Sequence, residues 1–169
     1  MTSKEILNGK MILVVDDEID IIETVAEALD MCIIRKAQDY DTAVQYLLGF
    51  TFDVVILDIM GVNGFELLKT SVSRGFPTVM LTAHALSPDA LKKSIKLGAV
   101  SFLPKEKTTA LKAFIEDVVL EDGKPVWKKL FDKLGNYFDK RFGPDWKKRD
   151  DFFKEFEDTL KEGGKAELK

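Results

Sequence analysis

A doubly wound α/β sheet is the fold this sequence predicts, on three observations. Five short apolar runs recur along the chain, helical stripes fill the intervals between them, and acidic residues stand at the ends of two runs. The runs are Met11–Val15, Cys32–Ala37, Asp53–Leu57, Thr78–Leu81 and Ser101–Leu103. The first, third and fourth are nearly continuous Val, Ile, Leu and Met, as expected of strands buried on both faces of a parallel sheet. Ile22, Val25, Ala26 and Leu29 form the first helical stripe, Ala43, Val44, Leu47 and Leu48 the second, and Phe65, Leu67 and Leu68 begin the third. Ser87 is the expected N-cap of a fourth helix, with Pro88 in its first turn and Gly98 at its end. Thr108 or Thr109 is read as the cap of a fifth, which carries Leu111, Phe114, Ile115 and Val118. Right-handed crossovers then place helices on both faces, and ligand sites fall beyond the carboxyl ends of the strands.

With 169 residues, 46% of them hydrophobic and 32% charged, the chain can bury a core. It has room for one domain and an extension, and too little for two enzyme domains. A net charge of −4 gives no overall attraction to nucleic acid or to anionic membranes. The one cysteine, Cys32, excludes an intramolecular disulfide and a cysteine-rich metal site, and its apolar neighbours Met31, Ile33 and Ile34 mark it as a buried structural thiol. Met1 to Lys10 contains no apolar leader core, and no run approaches the roughly 18 apolar residues of a membrane span. The reading is a cytoplasmic protein.

Composition shifts near Leu120, which divides the chain into an α/β unit, residues 1–120, and an extension, residues 121–169. The acidic surplus lies in the first unit, and the extension is nearly neutral but rich in aromatic residues. Trp127, Phe131, Leu134 and Phe138 share one helical face, as do Phe152, Phe156 and Leu160. Gly143-Pro144, with Asp145 as a cap, reads as the turn of a helical hairpin. Such a stripe is first of all core, packed against itself or against the α/β unit. Self-association as a homodimer and docking of a partner are its other uses. The basic clusters Lys140-Arg141 and Lys147-Lys148-Arg149 are interleaved with aspartates, so DNA binding is not expected.

The chemistry concentrates at the strand ends. The first strand runs into Asp16, Asp17 and Glu18, and the third into Asp58. Each residue alone has an ordinary explanation, since aspartate after a strand forms turns, Thr82 can be a loop hydroxyl and Lys105 a solvated charge. Together, carboxylates crowded at one sheet edge repel unless protonated or bridged by a cation. Mg2+ suits the arrangement because it takes a few oxygen ligands and leaves positions open for phosphate oxygens. A nearby hydroxyl and ammonium then favour phosphoryl transfer. No nucleophilic triad or P-loop is present, so a conventional enzyme is not expected.

From Lys10 to Leu120 the sequence resembles the receiver domain of two-component response regulators. The matching motifs are Ile12-Leu13-Val14-Val15-Asp16-Asp17-Glu18, Val54-Val55-Ile56-Leu57-Asp58-Ile59-Met60, Leu81-Thr82-Ala83, and Gly98-Ala99 with Phe102-Leu103-Pro104-Lys105. The resemblance implies a flavodoxin-like five-stranded parallel sheet in the order 2-1-3-4-5. It implies that Asp58 takes a phosphoryl group from a sensor histidine kinase or a histidine phosphotransfer protein, the domain catalysing its own phosphorylation and dephosphorylation. Asp17 and Asp58 would bind Mg2+ directly, Asp16 mostly through water, and the Met60 carbonyl would be a further ligand. Lys105 would pair with the phosphoryl oxygens, while Thr82 and Phe102 would act as the switch, the ring turning inward. The fourth helix, fifth strand and fifth helix would present the state to a downstream protein target.

Three positions depart from the family pattern. After Asp58 the usual Met-Pro is missing, and Gly64 arrives two residues early, so the loop is shorter, with Gly61 and Gly64 supplying backbone freedom. Pro104 precedes Lys105 instead of following it, so the Lys105-Glu106 bond is expected to be trans. Phe102 replaces the commoner tyrosine. His84 reads as a surface loop residue, with overhang of the acceptor as its other use. Two rival functions are a phosphorelay intermediate and a pseudo-receiver interaction module; the complete set Asp16, Asp17, Asp58, Thr82 and Lys105 argues against the second.

Overall fold

The computed structural model describes residues 2–83 and 86–162. His84 lies outside the described residues. The strands are β1 (Met11–Val15), β2 (Ile33–Ala37), β3 (Val54–Asp58), β4 (Thr78–Thr82) and β5 (Ser101–Pro104). They form one parallel sheet in the order β2-β1-β3-β4-β5, with Val15 opposite both Ala37 and Leu57, Asp58 opposite Leu81, and Thr82 opposite Pro104. Every residue of β3, β4 and β5 is buried, and β2, one of the two edge strands, is the most exposed. The continuous apolar runs thus mark the inner strands, and the Arg35-Lys36 interruption marks the edge.

The connecting helices are α2 (Ile19–Ala28), α3 (Tyr40–Gly49), α4 (Gly64–Ser73), α5 (Pro88–Lys96) and α6 (Leu111–Leu120). Asp39 caps α3 by accepting from the Thr42 amide, and Ser87 caps α5 by accepting from the Ala90 amide. Leu97 and Gly98, the latter at φ +99°, end α5 as expected. The start of α6 corrects the sequence reading. Lys105–Ala110 is a 3-10 turn, Ala110 occupies the cap position, and neither Thr108 nor Thr109 caps the helix. An additional short helix, α1 (Ser3–Leu7), is capped by Thr2 and buries Leu7 beside α6. Cys32 lies just before β2; its thiol donates to the Leu7 carbonyl at 3.3 Å, and burial, then Asp30 and Asp53, push its pKa up to about 11.

The remaining helices are α7 (Trp127–Phe142) and α8 (Asp151–Lys161). Gly143, at φ +94°, turns the chain after α7, as the Gly143-Pro144 pair suggested. Asp145 is not the cap of the next α-helix. A 3-10 turn, Trp146–Arg149, intervenes, and Asp150 caps α8 by accepting from the Phe152 amide. Trp127, Leu130, Leu134 and Phe138 form the buried stripe of α7, while Phe153 and Phe156 are the deepest residues of α8. Trp146 inserts between the helices against Phe142 and Phe153, and its indole N–H donates to Asp139 at 2.9 Å.

This helical pair packs on the edge of the sheet at β5. The Val126 amide donates to the Val100 carbonyl, and Phe138 meets Phe102 at 6.4 Å between ring centroids. Ion pairs ring the contact: Lys92 with Asp150 at 2.9 Å, Lys133 with Asp117 at 2.6 Å, and Arg141 with Glu106 at 3.3 Å. The α5–β5–α6 face is therefore covered by the chain's own extension, and the aromatic stripe is core shared with the sheet. Among the described residues, no helix is long and apolar enough to cross a membrane.

Candidate phosphoacceptor and metal site

Parallel pairing of β1 with β3 brings Asp16 and Asp58 to one sheet edge, and β5 delivers Lys105 to the same place. The Lys105 ammonium lies 2.8 Å from Asp16 Oδ2, 3.3 Å from Asp58 Oδ1 and 3.5 Å from Glu18 Oε1. Asp16, Asp58, Thr82 and Lys105 are all buried. The other Asp16 oxygen, Oδ1, accepts from the Glu18 amide at 2.9 Å, which fixes the carboxylate and turns the chain into α2. Asp17 and Glu18 are exposed, so the cluster has a buried acidic floor and an open acidic rim.

The electrostatics follow from this crowding. Burial first, and then the neighbouring Asp16 charge, push the Asp58 pKa up to about 7, because Lys105 offsets only part of the penalty. Asp16 is raised chiefly by burial as well. Burial alone would lower Lys105, yet its bond to Asp16 and the Asp58 charge outweigh that and raise it, so the lysine stays charged. One cation among three or four carboxylates leaves an electrostatic deficit that a divalent ion fills.

The donor set fits Mg2+. Carboxylate oxygens of Asp16, Asp17 and Glu18 come within 4.8 Å of one another, all of them hard oxygen ligands. The Asp58–Gly64 loop is shaped against this cluster. A Cβ on Gly61, at φ +86°, would stand 2.6 Å from Asp17 Cγ, and one on Gly64 would stand 2.7 Å from the Ile59 Cα and collide with the Asp58 carbonyl oxygen. Both glycines are what let the short loop pass so close to the acids. Asn63, in the left-handed region at φ +56°, and the Gly64 amide bonded to the Ile59 carbonyl complete the turn. Met60 stands in this loop with its side chain exposed.

Lys105 thus contacts Asp16 and Asp58 directly, Asp17 and Glu18 gather with Asp16 on the rim, and the Lys105-Glu106 peptide is trans. Phe102 has no solvent exposure and packs under Phe138 of α7. Glu18 had no assigned role in the sequence reading; its place in an unbroken acidic run after β1 was the available signal.

The chain matches the response regulator receiver domain model over residues 12–116 and belongs to that family. It is 30% identical over 122 residues to the phosphate regulon transcriptional regulatory protein PhoB of Pseudomonas aeruginosa, an alignment covering 63% of this chain and 52% of that protein. The chain therefore spans about half the length of this curated relative. Among solved structures, a chemotaxis protein of Vibrio cholerae, CheY4, is similar with 28% identity, a TM-score of 0.60, and coverage of 65% of this chain and 98% of that one. A Burkholderia pseudomallei response regulator, solved with a phosphorylated aspartic acid and a calcium ion, has the same fold with 24% identity, a TM-score of 0.59, and coverage of 66% and 69%.

Proposed function

We propose that Asp58 is the phosphoacceptor of this receiver and that its phosphorylation, dependent on Mg2+, is the signal the chain carries. The observation that supports the reading most is the buried Asp58 carboxylate, 3.3 Å from the Lys105 ammonium, at a strand end flanked by acids of the right chemistry for a hard cation. Residues 1–120 form the phosphoacceptor unit, residues 121–169 the extension, and the chain works in the cytoplasm.

An ionised Asp58 oxygen attacks the phosphorus of a phosphohistidine on a sensor kinase or phosphotransfer protein. The new O–P bond forms as the P–N bond breaks, and the imidazole leaves with the electron pair and takes up a proton. Bound Mg2+, held by Asp17, Asp58 and the Met60 carbonyl with Asp16 acting through water, would neutralise charge on the phosphoryl oxygens. Lys105 shifts from the Asp58 carboxylate to the phosphoryl group. Thr82, opposite Pro104 at the end of β4, supplies a hydroxyl on the same rim. Phe102 is already enclosed by α7, so movement of its ring is coupled to the extension. Output then runs through protein contacts with a downstream target. Peptide mapping after treatment with acetyl phosphate and Mg2+ tests the assignment: the added phosphoryl group is expected on the peptide containing Asp58, and its location elsewhere would refute it.

A further inference from the structure

We propose that Arg141 of α7 is a second cation for the phosphoryl group, besides Lys105, so that the C-terminal helical pair senses phosphorylation within the same chain. This rests on Asp58 being the phosphoacceptor, and it adds a residue from outside the receiver itself.

A cavity of about 180 Å3 is lined by Thr82, Pro104, Lys105, Glu106 and Arg141 among others, and it joins the acceptor site through Lys105, which pairs with Asp58. Of its lining residues, only Arg141 comes from α7 or α8. Lys105, Thr82 and Arg141 share the lining of one space, residue types that donate to phosphate oxygens, and guanidinium is the group best matched to those oxygens in geometry. In the present state Arg141 pairs with Glu106 at 3.3 Å, and both side chains are about half exposed. Such a pair contributes little and is readily exchanged. Glu106 offers one negative charge, whereas an aspartyl phosphate brings about two beside Lys105, the residue that precedes Glu106.

The helix transmits the exchange. Phe138, one turn before Arg141 on α7, packs on Phe102 of β5, three residues before Lys105. Phosphorylation therefore fastens the end of α7 onto the receiver through a new ion pair, with Glu106 as the competitor that holds Arg141 beforehand.

The test is the affinity of the full chain for beryllofluoride, a phosphoryl mimic, with Mg2+ present, together with hydrogen exchange across residues 127–142. Arg141→Gln is expected to weaken beryllofluoride binding about three- to tenfold, and to abolish the slowing of exchange in α7 that the mimic causes in the wild type. Glu106→Gln, which removes the competitor, is expected to tighten binding. If the pair were merely a structural pin, both variants would shift affinity in the same direction or not at all, and that result overturns the proposal. Unchanged α7 exchange in the wild type on binding would also overturn it. If the wild type binds no beryllofluoride and gains no phosphoryl group, the underlying assignment of Asp58 has failed instead.

Discussion

The Lys105 ammonium sits 2.8 Å from Asp16 and 3.3 Å from Asp58, so one lysine serves two buried carboxylates. Without it Asp58 holds its proton more tightly still, and Asp16 is left as a buried carboxylate with no cation beside it. Lys105→Met is expected to cost the metal-free protein about 3–5 kcal/mol of stability, with part of the loss recovered by Mg2+. Urea unfolding with and without the ion checks both, and an unchanged midpoint would contradict the electrostatic account.

The raised Asp58 pKa makes two pH statements. Only the ionised carboxylate attacks phosphorus, so at low Mg2+ the rate of phosphorylation should climb through about pH 7 and level off above it. Saturating Mg2+ should move that midpoint down. For stability the sign runs the other way: the folded state holds this proton more tightly than the unfolded one, whose ordinary value is 3.8. Metal-free protein therefore loses stability as pH rises from about 4 to about 7, by up to about 4 kcal/mol. Asp58→Asn should flatten that part of the profile and be more stable than wild type at pH 8, as measured by chemical denaturation across pH.

Gly64 has no room for a methyl group against the Asp58 carbonyl and the Ile59 Cα. Gly64→Ala should destabilise the fold by about 2–4 kcal/mol and weaken Mg2+ binding, because the loop that faces the acids has to shift. Calorimetric titration of Mg2+ on folded variant protein checks the second effect.

Phe138 is fully buried and touches Phe102, Phe131, Phe142 and Trp146. Phe138→Ala should cost about 3–5 kcal/mol and release the helical pair first. Limited proteolysis is expected to cut within residues 127–161 while the sheet stays intact.

The inner sheet was legible because strands buried on both faces show as unbroken apolar runs, and the candidate site was legible as a cluster because its acids directly follow those runs. Less visible was α1, whose five residues depend on the Thr2 cap and one buried leucine, Leu7. Capping also misled at Thr108, Thr109 and Asp145, where 3-10 turns separate the polar residue from the helix start. In α7 the aromatic spacing announced burial but not the surface buried against; docking on β5 depends on long-range partners such as Phe102 and Val100, which periodicity does not encode. Arg141 was equally hidden, since its neighbourhood reads as diluted charge until the helix is placed beside Glu106.

The most direct measurement is the intact mass of the protein after incubation with acetyl phosphate and Mg2+. One added phosphoryl group in the wild type, and none in Asp58→Asn, is the expected result. A folded, Mg2+-supplied wild type that gains nothing, or an Asp58→Asn variant that gains as much, would contradict Asp58 as the phosphoacceptor.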